Sequence, residues 1–315
     1  MPSKPTIAFV LSFLSLVPKA SAIVVGGTDP NNPIYLSGQT AVGYSLVPGV
    51  GGCSGSLLNT GIHFLTAAHC LLGASGDATV RFWNGSQTFE YKSTSLISHP
   101  DFESNNYFAS NDIAIITLGQ TVDSSINRLA LYTGNGELNQ VGTLIGRGGT
   151  GIGSNGDRTS DGIRREGTNT IDAIINNRIL FYDFDDGTTA RSTLGSSTPT
   201  AREVSIYFGD SGGPTLLNGQ IAGVHSFLTC FSGTTSQCAT SVDVDGVINA
   251  TFGERFADTR VSFYAAWIQS ITNAPAGSLL DGPANVPEPA TWFAGFAAAI
   301  VCIARHRRRS SDRKP

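Results

Sequence analysis

The sequence predicts an all-β body of antiparallel strands with one helix at its C-terminal end. Its 37 glycines in 315 residues supply many tight turns, which suits a strand-rich chain better than a helical bundle. Between residue 23 and about 273, short apolar runs alternate with Gly, Asn, Asp and Ser, the pattern of strands joined by turns in a sandwich or barrel. Hydrophobic residues make up 40% of the chain and charged ones only 14%, so an ample core is available.

Taken in order, residues 1–22 read as a secretory signal peptide. Lys4 charges the start, Ile7 to Val17 is largely apolar, and Ala20-Ser21-Ala22 has the small-x-small form that signal peptidase cuts. Strand candidates follow at Ser56-Leu57-Leu58, His63 to Thr66, Ala78 to Trp83, Ile113 to Leu118, Val141 to Ile145 and Gln220 to Phe227. One stretch reads as helix: Val261, Tyr264, Ala265, Ile268 and Ile271 share a face at helical spacing. Two tempting motifs fail on context. Gly151-Ile-Gly153-Ser-Asn-Gly156 matches a dinucleotide fingerprint by letter but runs into loop composition instead of a helix. Asp183-Phe-Asp185-Asp186-Gly187 is too short and irregular for a calcium loop.

Residues 274–285 look like a linker, rich in Pro, Gly, Ala and Ser. Beyond them stand Val286-Pro287-Glu288-Pro289, an apolar run from Trp292 to Ala304, and the basic cluster Arg305-His306-Arg307-Arg308-Arg309. The positive-inside rule keeps those arginines cytoplasmic and places the body outside. The run is shorter than the roughly 20 residues of a comfortable span. Residues 286–315 resemble the PEP-CTERM sorting signal of Gram-negative bacteria. That resemblance implies processing by an exosortase, transient membrane association, and a final place in the periplasm, at the cell surface or in the medium. An ordinary tail anchor would give the same topology.

Residues 23–304 contain 12 Lys and Arg against 23 Asp and Glu, a net charge of −11. Such an acidic body argues against a nucleic-acid partner, because phosphate binding needs basic surface. Of five cysteines, Cys302 lies in the tail, leaving Cys53, Cys70, Cys230 and Cys238 in the body. An even number in an exported domain points to two disulfides with three possible pairings, of which Cys53–Cys70 and Cys230–Cys238 is the short-range solution.

The chemistry is concentrated in Gly209-Asp210-Ser211-Gly212-Gly213-Pro214. A serine hydroxyl attacks only when a base takes its proton and donors stabilise the oxyanion that forms. Flanking glycines let the chain turn sharply and bring backbone N–H groups to a substrate carbonyl. The body holds four histidines. His69, in Leu65-Thr66-Ala67-Ala68-His69-Cys70, has small neighbours that leave its ring room. His99 precedes a proline and reads as a turn, while His63 and His225 lie in apolar runs and read as structural. A neutral imidazole also needs a buried acceptor to fix its tautomer. Asp112 leads directly into the apolar run Ile113-Ala114-Ile115-Ile116, where a carboxylate is costly unless paired.

Thr66-Ala67-Ala68-His69-Cys70, Asn111-Asp112-Ile113-Ala114 and Gly209 to Pro214 resemble the three signature blocks of the chymotrypsin/trypsin family, in that family's order. Val24-Val25-Gly26-Gly27, Cys53-Ser54-Gly55-Ser56-Leu57, Gly146-Arg147-Gly148 and Trp267-Ile268 add lesser matches, so the resemblance covers residues 23–273. It implies two packed six-stranded antiparallel β-barrels followed by the C-terminal helix, with His69, Asp112 and Ser211 as a catalytic triad in the cleft between them. It also implies an oxyanion hole from the N–H groups of Gly209 and Ser211, and a Cys53–Cys70 disulfide beside His69. The expected activity is peptide-bond hydrolysis in protein or peptide substrates, with no cofactor and no metal.

The family's activation device pairs the mature N-terminal amine with the aspartate before the nucleophile, here Asp210. A signal-peptidase cut after Ala22 would itself expose Ile23, although this chain has one residue more before Gly26-Gly27 than the family's usual Ile-Val-Gly-Gly. For specificity, the resemblance places Ser205 at the base of the primary pocket, without the carboxylate that selects Lys or Arg. It places Ser226, Phe227 and Leu228 along the substrate backbone, with Leu228 narrowing the entrance. Tyr207 stands where many relatives have a cysteine. Uncharged, small or medium apolar side chains are the expected preference. The competing readings are a surface-displayed pseudoprotease that only binds, and an esterase.

Overall fold

A computed structural model of the chain describes residues 23–106, 108, 111–195, 198–230, 238–274 and 277–280. The expected signal peptide and the expected sorting segment 286–315 lie outside them.

Six strands close a first barrel in the order β2-β3-β4-β7-β6-β5: β2 Val42–Val47, β3 Gly51–Leu57, β4 His63–Thr66, β5 Thr79–Trp83, β6 Thr88–Ser98 and β7 Ala114–Leu118. Its interior is packed with apolar side chains such as Leu57, Phe64, Val80, Phe82 and Ile115, all fully buried. Phe82 stands edge-on to both Phe64 and Tyr91. Gly43 is required where β2 lies against the neighbouring strand β5, since a Cβ there would sit 2.8 Å from the Phe82 ring.

The second sheet has seven strands: β8 Val141–Gly146, β10 Arg165–Thr170, β11 Ala173–Ile175, β12 Ile179–Asp183, β14 Pro214–Leu217, β15 Gln220–Thr229 and β16 Arg255–Arg260, in the order β10-β8-β14-β15-β16-β12-β11. With the first barrel it makes the two-barrel, chymotrypsin-like architecture expected, this second barrel being a half-barrel. The edge strands β10 and β11 are joined by Ile171 and Asp172 without a ladder between them. The Ile171 N–H goes to Gln140 and that of Asp172 to Phe181, so each linking residue extends a neighbouring contact instead of closing the sheet. The result is one closed barrel and one half-barrel.

A small third sheet sets the N-terminal strand in place. β1 Val24–Val25 runs antiparallel to β13 Val204–Ser205 and parallel to β9 Gly151–Ile152. The literal glycine motif at 151–156 therefore starts as a strand and turns, with no helix after it. The helix expected from Val261 is α1, Val261–Thr272, and it buries Val261, Tyr264 and Ile268. Asn273, in the left-handed conformation at φ 47°, ends it.

Residues 277–280 fall within the stretch expected to be linker, yet they dock on the body. The Leu131 N–H donates to the Leu279 carbonyl at 2.8 Å, and Leu279 is 3% exposed. A buried leucine with a paired carbonyl behaves as part of the fold. No helix among the described residues is long and apolar enough to cross a membrane.

Candidate active site

The turn around Ser211 is held from several directions. Gly209 and Gly212 both have positive φ, 91° and 82°, which glycine adopts without the Cβ penalty. Space is as restrictive as torsion. A Cβ on Gly212 would lie 2.1 Å from Thr66 Oγ1 and 2.4 Å from the Ser54 carbonyl. Strand β3 of the closed barrel reaches across to pin the turn: the Ser54 N–H donates to the Ser211 carbonyl and its hydroxyl to the Gly209 carbonyl, each at 2.9 Å. Strand β15 holds the other side, with Gly212 N–H to His225 carbonyl and His225 N–H to Gly213 carbonyl at 2.8 Å. The N–H groups of Asp210, Gly212 and Gly213 are thus spent within the protein, whereas those of Gly209 and Ser211 find no acceptor among the described residues.

His69 lies in the 3-10 turn Ala68–Leu71, directly after β4. Its Nδ1 is 2.8 Å from Asp112 Oδ2, and its backbone N–H donates to Asp112 Oδ1 at 2.9 Å. Asp112 precedes β7 and is fully buried. The Ser226 hydroxyl donates to the same Oδ2, so this carboxylate is satisfied by three donors, as a buried charge must be. The supporting layer continues outward. Thr259 Oγ1 donates to the Asp112 carbonyl at 2.8 Å, and the Tyr264 hydroxyl of α1 donates to Asn111 Oδ1 at 2.9 Å. Burial pulls the His69 imidazole toward neutrality, but the Asp112 charge and hydrogen bond outweigh it, leaving its pKa above the usual histidine value.

The Cys53–Cys70 disulfide clamps this turn, and Cys230 pairs with Cys238, as the short-range solution anticipated. Cys53, Cys70 and His69 form a cluster of metal-ligand atoms, but both sulfurs are bonded to each other. No thiolate is left there to ligate a cation.

Asp210 is buried without exposure, and burial raises its pKa to about 6 against bonds from Gly148, Tyr207 and Ile23 N–H groups and the nearby His225 charge. Ile23 is also fully buried, with N 3.0 Å from Asp210 Oδ2, and Thr150 Oγ1 donates to its carbonyl at 2.7 Å. The two residues expected as an activation pair therefore meet.

A cavity of about 870 Å³ opens beside the turn, lined by His69, Ser211, Ser226, Phe227 and Leu228 among others. Phe108, Phe208 and Val247 make it strongly apolar, and no Asp, Glu, Lys or Arg lines it among the described residues. Phe108 packs edge-on to Phe227 at 5.2 Å. These walls were missed in the sequence because they come from separate loops with no periodic signal. Ser205 is not brought to the cavity. Its strand β13 pairs it with Val24, it is fully buried, and its neighbours Ile206 and Tyr207 line the wall instead. Behind Leu228, its β16 partner Phe256 is fully buried and stacks on Tyr182 at 4.6 Å, so the protein's own rings fill that space.

The other three histidines of the body have partners of their own. His63 Nδ1 lies 2.9 Å from Thr60 Oγ1. His99 packs against Tyr264 and Trp267. His225 forms a fully buried pair with Asp258, Nδ1 to Oδ1 at 2.8 Å.

Known proteins resemble this chain in sequence and in fold. The trypsin family model matches residues 35–248. Trypsin CFT-1 of Choristoneura fumiferana is 27% identical over 84% of this chain and 96% of its own length. Chymotrypsin-like elastase family member 1 of Bos taurus is 28% identical over 80% of this chain and 91% of its own length. Among solved structures, HL collagenase superposes with a TM-score of 0.54 at 22% identity, covering 77% of this chain and 98% of that one, which shows the shared fold. The chain belongs to the trypsin family and is a chymotrypsin-like serine endopeptidase.

Proposed function

We propose that Ser211 is the nucleophile, His69 the general base and acid, and Asp112 the group that orients the imidazole and balances its charge. Ser211 Oγ attacks the scissile carbonyl carbon as His69 Nε2 takes the hydroxyl proton. The carbonyl π electrons move onto oxygen, where the N–H groups of Gly209 and Ser211 receive the negative charge. His69 then passes its proton to the leaving amine as the C–N bond breaks, and water resolves the acyl-enzyme by the same steps. The observation that carries this reading is the 2.8 Å contact of His69 Nδ1 with buried Asp112, in a cavity that Ser211 also lines.

The substrate is a protein or peptide presenting uncharged, apolar side chains to the cavity. Phe227 and Leu228 supply its wall; Ser205 is not needed for this preference. Cleavage of a peptide library by the wild type beside Ser211→Ala tests activity and specificity together. Cutting next to apolar residues is expected, and strict cutting after Arg would refute the preference.

Export by a signal peptide, and sorting by the PEP-CTERM-like tail with exosortase processing, complete the proposal. Removal of residues 1–22 would turn Ile23 N into an ammonium beside Asp210, so signal peptidase would also be the activating enzyme. Burial of the Asp210 carboxylate supports this, since a buried charge persists only when paired. N-terminal sequencing of the mature protein should read Ile23-Val24-Val25; a start well away from it would refute the activation step.

A further inference from the structure

The body of this protein is acidic, yet two of its 12 arginines and lysines converge on one cavity. A pocket of about 390 Å³ is lined by Leu36, Ser37, Trp83, Thr88, Arg147 and Arg164. It lies apart from the cavity that holds His69 and Ser211. Arg164 is only 8% exposed, and Arg147 is half-buried.

Neither guanidinium forms an ion pair with a carboxylate among the described residues. The nearby acids are committed elsewhere. Glu166 accepts from the Ser37 hydroxyl and pairs with Arg202, and Glu90 pairs with Arg81. Arg164 donates Nε to the Ser37 carbonyl, and Nη1 to the carbonyls of Val42 and Trp83, at 3.2–3.4 Å. Its Nη2 meets no protein acceptor among the described residues. Arg147 donates Nη2 to the Gly162 carbonyl at 2.8 Å and makes no other side-chain bond among them. Burial and the neighbouring Arg147 charge push the Arg164 pKa down to about 10, so the two cations repel each other in a partly desolvated space. Like charges held this close are stabilised by an anion between them, and the planar fork of arginine matches an oxyanion with two parallel bonds.

We propose that this cavity is an oxyanion-binding site, in which Arg147 and Arg164 grip a carboxylate or phosphate and the Ser37 and Thr88 hydroxyls and the Trp83 ring complete the walls. The oxyanion comes either free in solution or as the side chain of an acidic peptide.

The test is fluorescence titration of the mature enzyme with inorganic phosphate and, separately, with N-acetyl-glutamate amide. Ionic strength is held constant with sodium chloride. Saturable change in tryptophan emission with one ligand or both is expected, and Trp83→Phe should remove it. Arg147→Gln should weaken binding about tenfold or more, the loss expected for charge-assisted bonds. Tighter binding of phosphate identifies a free anion, and tighter binding of the glutamate amide identifies a protein-borne acid. Arg147→Lys, which keeps the charge but loses the fork, should bind more weakly than wild type and serves if Arg147→Gln does not fold. A response to both ligands that fails to saturate, or binding unchanged in the variants, would overturn the site.

Discussion

At His69, the proposed general base, two opposing effects meet, and their sign sets the pH dependence that this role entails. Burial favours the neutral ring, while Asp112 at 2.8 Å favours the cation and prevails. A general base works only when neutral, so kcat/KM should rise with pH along a limb whose midpoint lies above the ordinary value of about 6.5. Asp112→Asn leaves the shape but removes the charge, and it should lower kcat by about 10⁴-fold. A steady-state pH profile of both proteins checks this; a midpoint below 6.5 in the wild type would contradict it. The proposed triad residues His69, Asp112 and Ser211 stand out in the sequence because each stands in a short block of distinctive neighbours. The Ser226 bond to Asp112 was not legible, because the sequence places Ser226 along the substrate backbone and gives no sign that its hydroxyl turns toward Asp112. The wall residue Phe108 was equally silent, since its contact with Phe227 depends on a loop meeting the distant strand β15.

At the scale of elements, the two barrels are joined at the Ser211 turn by β3, whose Ser54 bonds both Gly209 and Ser211. The Cys53–Cys70 disulfide fixes that strand to the His69 turn across a sequence separation of 17. A loop of this size is worth about 3 kcal/mol through the unfolded chain. Cys53→Ala with Cys70→Ala should lose about that much stability in denaturant unfolding, and it should lose activity as well, because the clamp borders both His69 and Ser211. Strands β4, β5, β7, β8 and β15 and helix α1 were readable from apolar runs and a helical face. The two-residue strands β1, β9 and β13 were not, because pairs such as Val24-Val25 carry no periodicity and exist through tertiary pairing alone. The docking of Leu279 was hidden for the same reason, in a stretch whose composition says linker.

For the whole molecule, the acidic balance is partly stored inside. Burial first, and the neighbouring Asp183 and Asp186 next, raise Asp185 to about 7; burial raises Glu254 to about 7 against N–H bonds from Asn249, Thr251 and Ala250. Glu203 is raised to about 8 by burial, against bonds from Thr200. These groups bind protons more tightly folded than unfolded. Their stabilisation is therefore complete below the unfolded values near 4 and is lost as pH rises through 7 to 8. Thermal unfolding across that range should show stability declining with pH, and a flat or rising trend would contradict the buried-acid assignment. The two-barrel plan with its C-terminal helix was legible in the sequence. The opening between β10 and β11 was not, since whether two edges pair depends on where Ile171 and Asp172 send their N–H groups.

All of these effects converge on one side chain. Mass spectrometry of the mature enzyme after treatment with a fluorophosphonate should find the phosphonyl group on the peptide bearing Ser211, and on no other serine. Ser211→Ala should take up none. Labelling elsewhere, or an unlabelled but folded wild type, would contradict the assignment of Ser211 as an activated nucleophile.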